Sequence, residues 1–292
     1  MPVVNRTSVM NAADRMILRI RHFARGTYPE ADGEPGALPV NRFFLPIRNP
    51  NGAACYIEDA FSHETLCPGR AYFIPLFHSA RVRLDAELEF LSIQFTLEFC
   101  GGMDLFSRLP SLRVLEEESW LRRAEEAYDE REEFVAAALV RGLTEEFAAA
   151  LMRSMTGEQL ALASVVAEFR KELEYLQSHC LATTTVEELA ALRGCRREVF
   201  SRNFTAAMGI PPKQFLARSL TNRACDLLLR GDRLVREVAF ELGFGNEYYF
   251  SRFFRKQTGL SPLQFQMHYL SRGRGRVRPG IAAGAEERGG RK

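Results

Sequence analysis

A chain of 292 residues, 46% hydrophobic and 26% charged, has the length for two domains and enough apolar side chains for a core in each. No apolar run approaches the roughly 18 residues needed to cross a bilayer, and the opening MPVVNRTSVMNAADRM lacks a signal-peptide segment. The expectation is therefore a soluble cytoplasmic protein with no membrane partner. The net charge of +2 hides an asymmetry: residues 1–163 hold 17 Lys/Arg against 24 Asp/Glu, residues 164–271 hold 15 against 11, and residues 272–292 hold 7 against 2. A basic C-terminal half points to nucleic acid at that end.

Residues 29–39, PEADGEPGALP, read as a loop. From about 40 to 99 come short, alternating, β-branched or aromatic runs: FFLPI, CYIED, AYFIPL, ARVRLDA and EFLSIQFTLEF. Punctuated by Pro and Gly, they predict a small β barrel or sandwich. From about 115 apolar residues recur three or four apart, at Trp120, Ala124 and Ala127, then Phe134 and Ala138, then Phe147 and Leu151. Gly157 interrupts them. A further helix is predicted over 158–179, with Leu162, Val165, Val166, Phe169, Leu173 and Leu176 on one side. The six cysteines include no C-x-x-C pair, so they read as small buried hydrophobes.

Residues 186–215 and 235–265 are two copies of one unit. Leu189-Ala190 matches Val238-Ala239, and after a one-residue insertion Phe200-Ser201-Arg202 matches Phe250-Ser251-Arg252. Phe204 and Phe254, Gly209 and Gly259, Pro212 and Pro262, and Phe215 and Phe265 follow at the same offset. Each copy reads as helix, glycine turn (Gly194, Gly243), helix, which is the helix-turn-helix layout. On a wheel of 100° per residue, Tyr249, Phe250, Phe253 and Phe254 fall in one arc, and Glu247, Tyr248, Ser251, Arg252, Arg255 and Lys256 in the other. In the first copy Phe200 and Phe204 point inward, with Val199 at the margin; Arg197, Glu198, Ser201, Arg202 and Thr205 point outward. Asn246 suits an N-cap, whereas Arg196 at the matching position does not. The last 21 residues lack apolar periodicity and read as a disordered basic tail.

With these residues in view, the chain resembles the AraC family of bacterial transcription regulators. The resemblance rests on Val238-Ala239, Gly243-Phe244, Tyr249-Phe250-Ser251-Arg252, Phe254-Arg255-Lys256, Gly259-Leu260-Ser261-Pro262 and Phe265, and on a joining helix over 218–228. It covers about residues 164–270. It implies an α+β multidomain chain: a cupin-like sensor and dimerisation domain over 1–156, a DNA-binding domain with two helix-turn-helix units over 157–271, and the tail 272–292. It further implies an activator, working as a homodimer with double-stranded DNA, RNA polymerase and a small-molecule effector, a carbohydrate among the candidates. Glu198, Ser201, Arg202, Glu247, Tyr248, Ser251 and Arg252 are the implied base readers, and Arg197, Arg255 and Lys256 the phosphate contacts. Phe43, Tyr56, Phe73, His78 and Arg81 are the candidate effector lining inside the barrel. Metal-binding cupins carry an H-x-H pair, but here His63 and His78 stand 15 apart. No cofactor, metal or catalytic residue is therefore expected. A cupin-type metal enzyme fused to a DNA-binding domain, or a regulator switched by a protein partner, are the alternatives.

Overall fold

The structure, a computed structural model, describes residues 14, 16–27, 31–32, 37–99, 103–116, 118–157 and 168–270. The expected basic tail lies outside these residues, as do residues 158–167 just past the expected boundary at 156/157, among them Leu162, Val165 and Val166. In the N-terminal half the strands are β1 (Met16–Thr27), β2 (Ala31–Asp32), β3 (Asn41–Arg48), β4 (Tyr56–Glu58), β5 (His63–Thr65), β6 (Arg70–Ile74), β7 (Arg81–Leu84), β8 (Glu89–Phe99) and β9 (Arg113–Glu116). They form two antiparallel sheets, ordered β1-β8-β3-β6-β9 and β2-β7-β4-β5. Among the described residues neither sheet closes on itself, and no ladder joins one to the other. The predicted barrel is thus a pair of open sheets.

Strand alternation gives the larger sheet two different faces. One buries Phe44, Tyr72, Ile74 and Phe90 against Ile57, Leu66 and Leu84 of the smaller sheet and its loops. The other buries Phe43, Phe73, Leu91, Ile93 and Phe95 against two helices, α1 (Glu118–Asp129) and α2 (Glu133–Ser154). Phe43 stacks on Phe147 at 4.1 Å between ring centroids, and Trp120 meets the same Phe147 edge-on at 4.3 Å. The stripe Trp120, Ala124, Ala127 is buried as its spacing predicts. Phe134 is not: it is 90% exposed, because α2 reaches the sheet only from Val140 onward.

The C-terminal half is helical: α3 (Arg170–His179), α4 (Val186–Leu192), α5 (Arg197–Met208), α6 (Pro212–Leu229), α7 (Val235–Glu241), α8 (Glu247–Thr258) and α9 (Pro262–Leu270). Phe169, Leu173 and Leu176 are buried on the predicted side of α3. Arg193 fastens that helix, bonding to Glu172 at 2.8 Å with its guanidinium over the Phe169 ring. No helix among the described residues is long and apolar enough to cross a membrane.

Candidate nucleic-acid interface

The two repeats fold as the sequence implies. Helices α4 and α5 form one unit, α7 and α8 the other, and α6 joins them. Each turn depends on a glycine at positive φ, +69° at Gly194 and +76° at Gly243, a region costly for other L residues. At Gly243 an added Cβ would meet Leu181 only at ordinary contact distance, so the requirement for glycine there is conformational. Phe200 and Phe204 in α5, and Phe250 and Phe254 in α8, are fully buried, and each pair is continued by Phe215 or Phe265 of the next helix. Those aromatic ridges fix how each second helix is rolled, and so which side chains face water.

The outward side chains are the predicted ones. Glu198, Arg202, Glu247, Tyr248, Arg252, Arg255 and Lys256 are exposed, while Ser201 and Ser251 are half-buried at the margin. Arg197 pairs with Glu187 of α4 at 3.0 Å. Arg252 lies with its guanidinium 5.9 Å from the Tyr248 ring centre. Among the described residues none of Glu198, Arg202, Glu247, Arg252, Arg255 and Lys256 forms an ion pair, so these charges stand uncommitted. Arg252, Arg255 and Lys256 border an open groove with Phe253. Asn246 caps α8, accepting from the Tyr249 N–H at 3.0 Å, and Arg196 provides no side-chain cap to α5.

One placement differs from the wheel. Tyr249, expected in the buried arc, is 60% exposed. It stands in the first turn of α8, where the core does not yet extend, so helical phase alone does not bury it. Its repeat counterpart Val199 is likewise exposed, at 38%.

The five candidate effector residues do not surround one cavity. Phe43 and Phe73 are cross-strand neighbours on the face covered by α2 rather than between the sheets. Alternation in a strand shows that two faces exist but not which one a helix will cover. Tyr56 packs on the His63 ring, and Arg81 lies on β7 opposite Glu58. His78 bonds Asp59 at 2.8 Å. Burial alone would raise Asp59, but the backbone N–H groups of Leu112 and Phe61, with His78, bring its carboxyl down to about 2. This is a loop anchor. The sequence reading also passed over a buried polar row on β1, β3 and β8, where His22, Arg42 and Gln94 are register partners.

A small cavity opens elsewhere, between the N-terminal loops and α6. Leu76, Phe77, Asp104, Arg218, Ser219 and Asn222 are among its lining, and its volume of about 30 Å³ suits one or two waters. The Arg218 guanidinium stacks on Phe77 at 4.7 Å, has no carboxylate partner among the described residues, and is pulled down by burial. Asn222 Oδ1 and Ser219 Oγ are buried without a hydrogen-bond partner. Burial pushes Asp104 up to about 7 against hydrogen bonds from Leu97 N–H, Phe106 N–H and Asn41 Nδ2, each at 2.8 Å. Further along the same face of α6, Asp226 pairs with Arg21 and, at 4.0 Å, with Arg19 of β1.

Comparison with known proteins bears on the C-terminal half first. The family described as "Helix-turn-helix domain" matches residues 189–268. The chain is 34% identical over 92 residues to the MmsAB operon regulatory protein of Pseudomonas aeruginosa, covering 32% of this chain and 30% of that one. It is 30% identical over 96 residues to the HTH-type transcriptional activator RhaS of Klebsiella pneumoniae, covering 33% of this chain and 34% of that one. The match thus spans about a third of the length of these curated relatives. Among solved structures, ToxT from Vibrio cholerae superposes with a TM-score of 0.53 at 9% identity, covering 88% of this chain and 99% of that one. That likeness establishes a shared fold for the β-rich and helical halves together.

Proposed function

We propose, from the match of residues 189–268 to a helix-turn-helix family and from the likeness of their motifs to the AraC family, that the chain is a sequence-specific regulator of transcription that binds double-stranded DNA. The observation that carries the reading is the pair of second helices, α5 and α8, with equivalent buried ridges and equivalent outward polar faces on one joining helix. Such a pair suits two major-groove contacts, with the N-terminal ends of α5 and α8 at the base edges. Glu198, Ser201, Arg202, Glu247, Tyr248, Ser251 and Arg252 are the base-reading set. Arg255 and Lys256 hold phosphates, and Arg197 joins them on leaving Glu187. An activator's role is in keeping with the name of the relative RhaS; RNA polymerase as partner and action in the cytoplasm, as a regulator rather than an enzyme, complete the proposal. The DNA-binding part begins near residue 157 and the sensor part precedes it.

The sensor part answers a small-molecule effector. A carbohydrate inside the barrel is one candidate from the sequence; the Arg218 cavity favours a small organic acid instead. A buried guanidinium with no counter-ion attracts a carboxylate, and Asn222 and Ser219 add polar atoms beside it. Structures of ToxT, the fold neighbour, include one bound to an unsaturated fatty acid. At about 30 Å³ the cavity must widen to admit any such ligand.

Selection of bound duplexes from a random library, followed by titration at several salt concentrations, tests the DNA reading. The expected result is an enriched sequence bound with a steep loss of affinity in salt. Equal binding to all duplexes rejects it. For the effector, a panel of carboxylic acids and sugars is screened by thermal shift on wild type and on Arg218→Ala. Stabilisation by acids alone, lost in the variant, is expected; stabilisation by sugars unaffected by the variant rejects the assignment.

A further inference from the structure

We propose that Val199 and Tyr249 read thymine, each packing apolar atoms against a C5 methyl group next to a guanine held by its own arginine. The inference rests on the DNA-binding reading above and adds a specificity element to it.

Apolar residues scattered on a surface need no explanation. These two are not scattered. They occupy the same position in both copies of the repeat, the third residue of α5 and of α8, and both stay exposed beside charged side chains. Each also precedes an exposed arginine by three residues, Val199 before Arg202 and Tyr249 before Arg252. Residues three apart on a helix are surface neighbours, so each helix presents one apolar group beside one guanidinium. Within the major groove the C5 methyl of thymine is the apolar feature of the base edges, and the O6 and N7 of guanine form the usual arginine target. An apolar group adjoining an arginine is the complement of a thymine adjoining a guanine. In the second copy the arrangement is reinforced: Tyr249 meets Tyr248 edge-on at 5.9 Å, and Tyr248 underlies Arg252. Neither Val199 nor Tyr249 is needed by the core, which is closed beneath by Phe200 and Phe250.

Deoxyuracil keeps every hydrogen-bonding atom of thymine and lacks only the methyl, so it isolates the contact. Sites are selected from a random library with the full-length protein, each thymine in the selected duplex is replaced singly by deoxyuracil, and affinities are compared at fixed salt. Wild type is expected to lose about fourfold at one thymine beside a guanine for each recognition helix, the worth of one buried methyl. Val199→Ala removes the sensitivity at one of these positions and Tyr249→Ala at the other, with thermal stability falling only slightly, since Phe200 and Phe250 close the core beneath them. Val199→Thr, which keeps one methyl, retains part of it. Indifference of the wild type to uracil at every position overturns the proposal, as does undiminished sensitivity in both alanine variants. Failure to enrich any sequence overturns the DNA reading itself, and this inference with it.

Discussion

Arg252 follows Tyr249 by one helical step and makes no ion pair among the described residues, so its removal disturbs little in the free protein. Arg252→Ala is expected to change folding stability by roughly 0–1 kcal/mol. Binding to the selected site should weaken by about 1–3 kcal/mol, with nonspecific DNA nearly unaffected. If both weaken alike and the salt slope falls by about one unit, the residue holds a phosphate instead. Unchanged affinity for the selected site, measured on a folded variant, refutes either role. Asp104 gives a second test at this scale. Its folded-state carboxyl is raised to about 7 by burial, so the folded protein binds that proton more tightly than the unfolded chain, whose ordinary value is 3.8. The stability it contributes is full below about pH 4 and is lost as pH rises towards 7. The urea midpoint of wild type, relative to Asp104→Asn, should therefore fall between pH 4 and 7. A relative midpoint that rises over that window would show the carboxyl to be ionised throughout.

The two recognition helices differ at their first turns. Asn246 satisfies an orphan N–H of α8, while α5 begins at Arg196 with none satisfied by a side chain. Asn246→Ala should cost about 1 kcal/mol of stability, and Arg196→Asn should gain a similar amount, both readable as shifts in urea midpoint. Equal midpoints for Arg196→Asn and wild type would mean that the α5 terminus is satisfied by solvent. These elements were legible in the sequence because a repeat doubles every signal: Phe200 and Phe250, Gly194 and Gly243 each confirm the other. Tyr249 was misplaced because a helical wheel assumes a neighbour along the whole helix length, and the first turn has none. The sheets were legible as strands, but alternation left open which face α2 would cover, so Phe43 and Phe73 were assigned to the wrong side. The Arg218 cavity was not legible at all. Its walls come from Leu76 and Phe77, from Met103 to Ser107, and from Met208 to Asn222, which only the tertiary fold brings together.

At the scale of the whole molecule, an apolar face of α2 stands uncovered among the described residues. Phe134, Val135 and Leu139 are exposed on the N-terminal half of α2, with Tyr128 of α1 nearby in sequence. A second copy of the chain is the proposed occupant, in line with the homodimer expected from the sequence. Sedimentation equilibrium of the full chain should give a dimer that Phe134→Glu with Leu139→Glu converts to monomer; a wild type that is monomeric at tens of micromolar removes the idea. Helix α6 has a different consequence. It carries both recognition helices, one at each end, and one of its faces is held by Phe77 through Arg218 and by Arg19 and Arg21 through Asp226. Duplex DNA repeats its major groove every ~34 Å, so two readers bind together only when their separation and angular phase match that pitch. Whatever enters beside Arg218 and turns α6 against the sheets would carry both readers as one body, re-aiming the pair relative to the N-terminal half while keeping the spacing that the groove pitch requires.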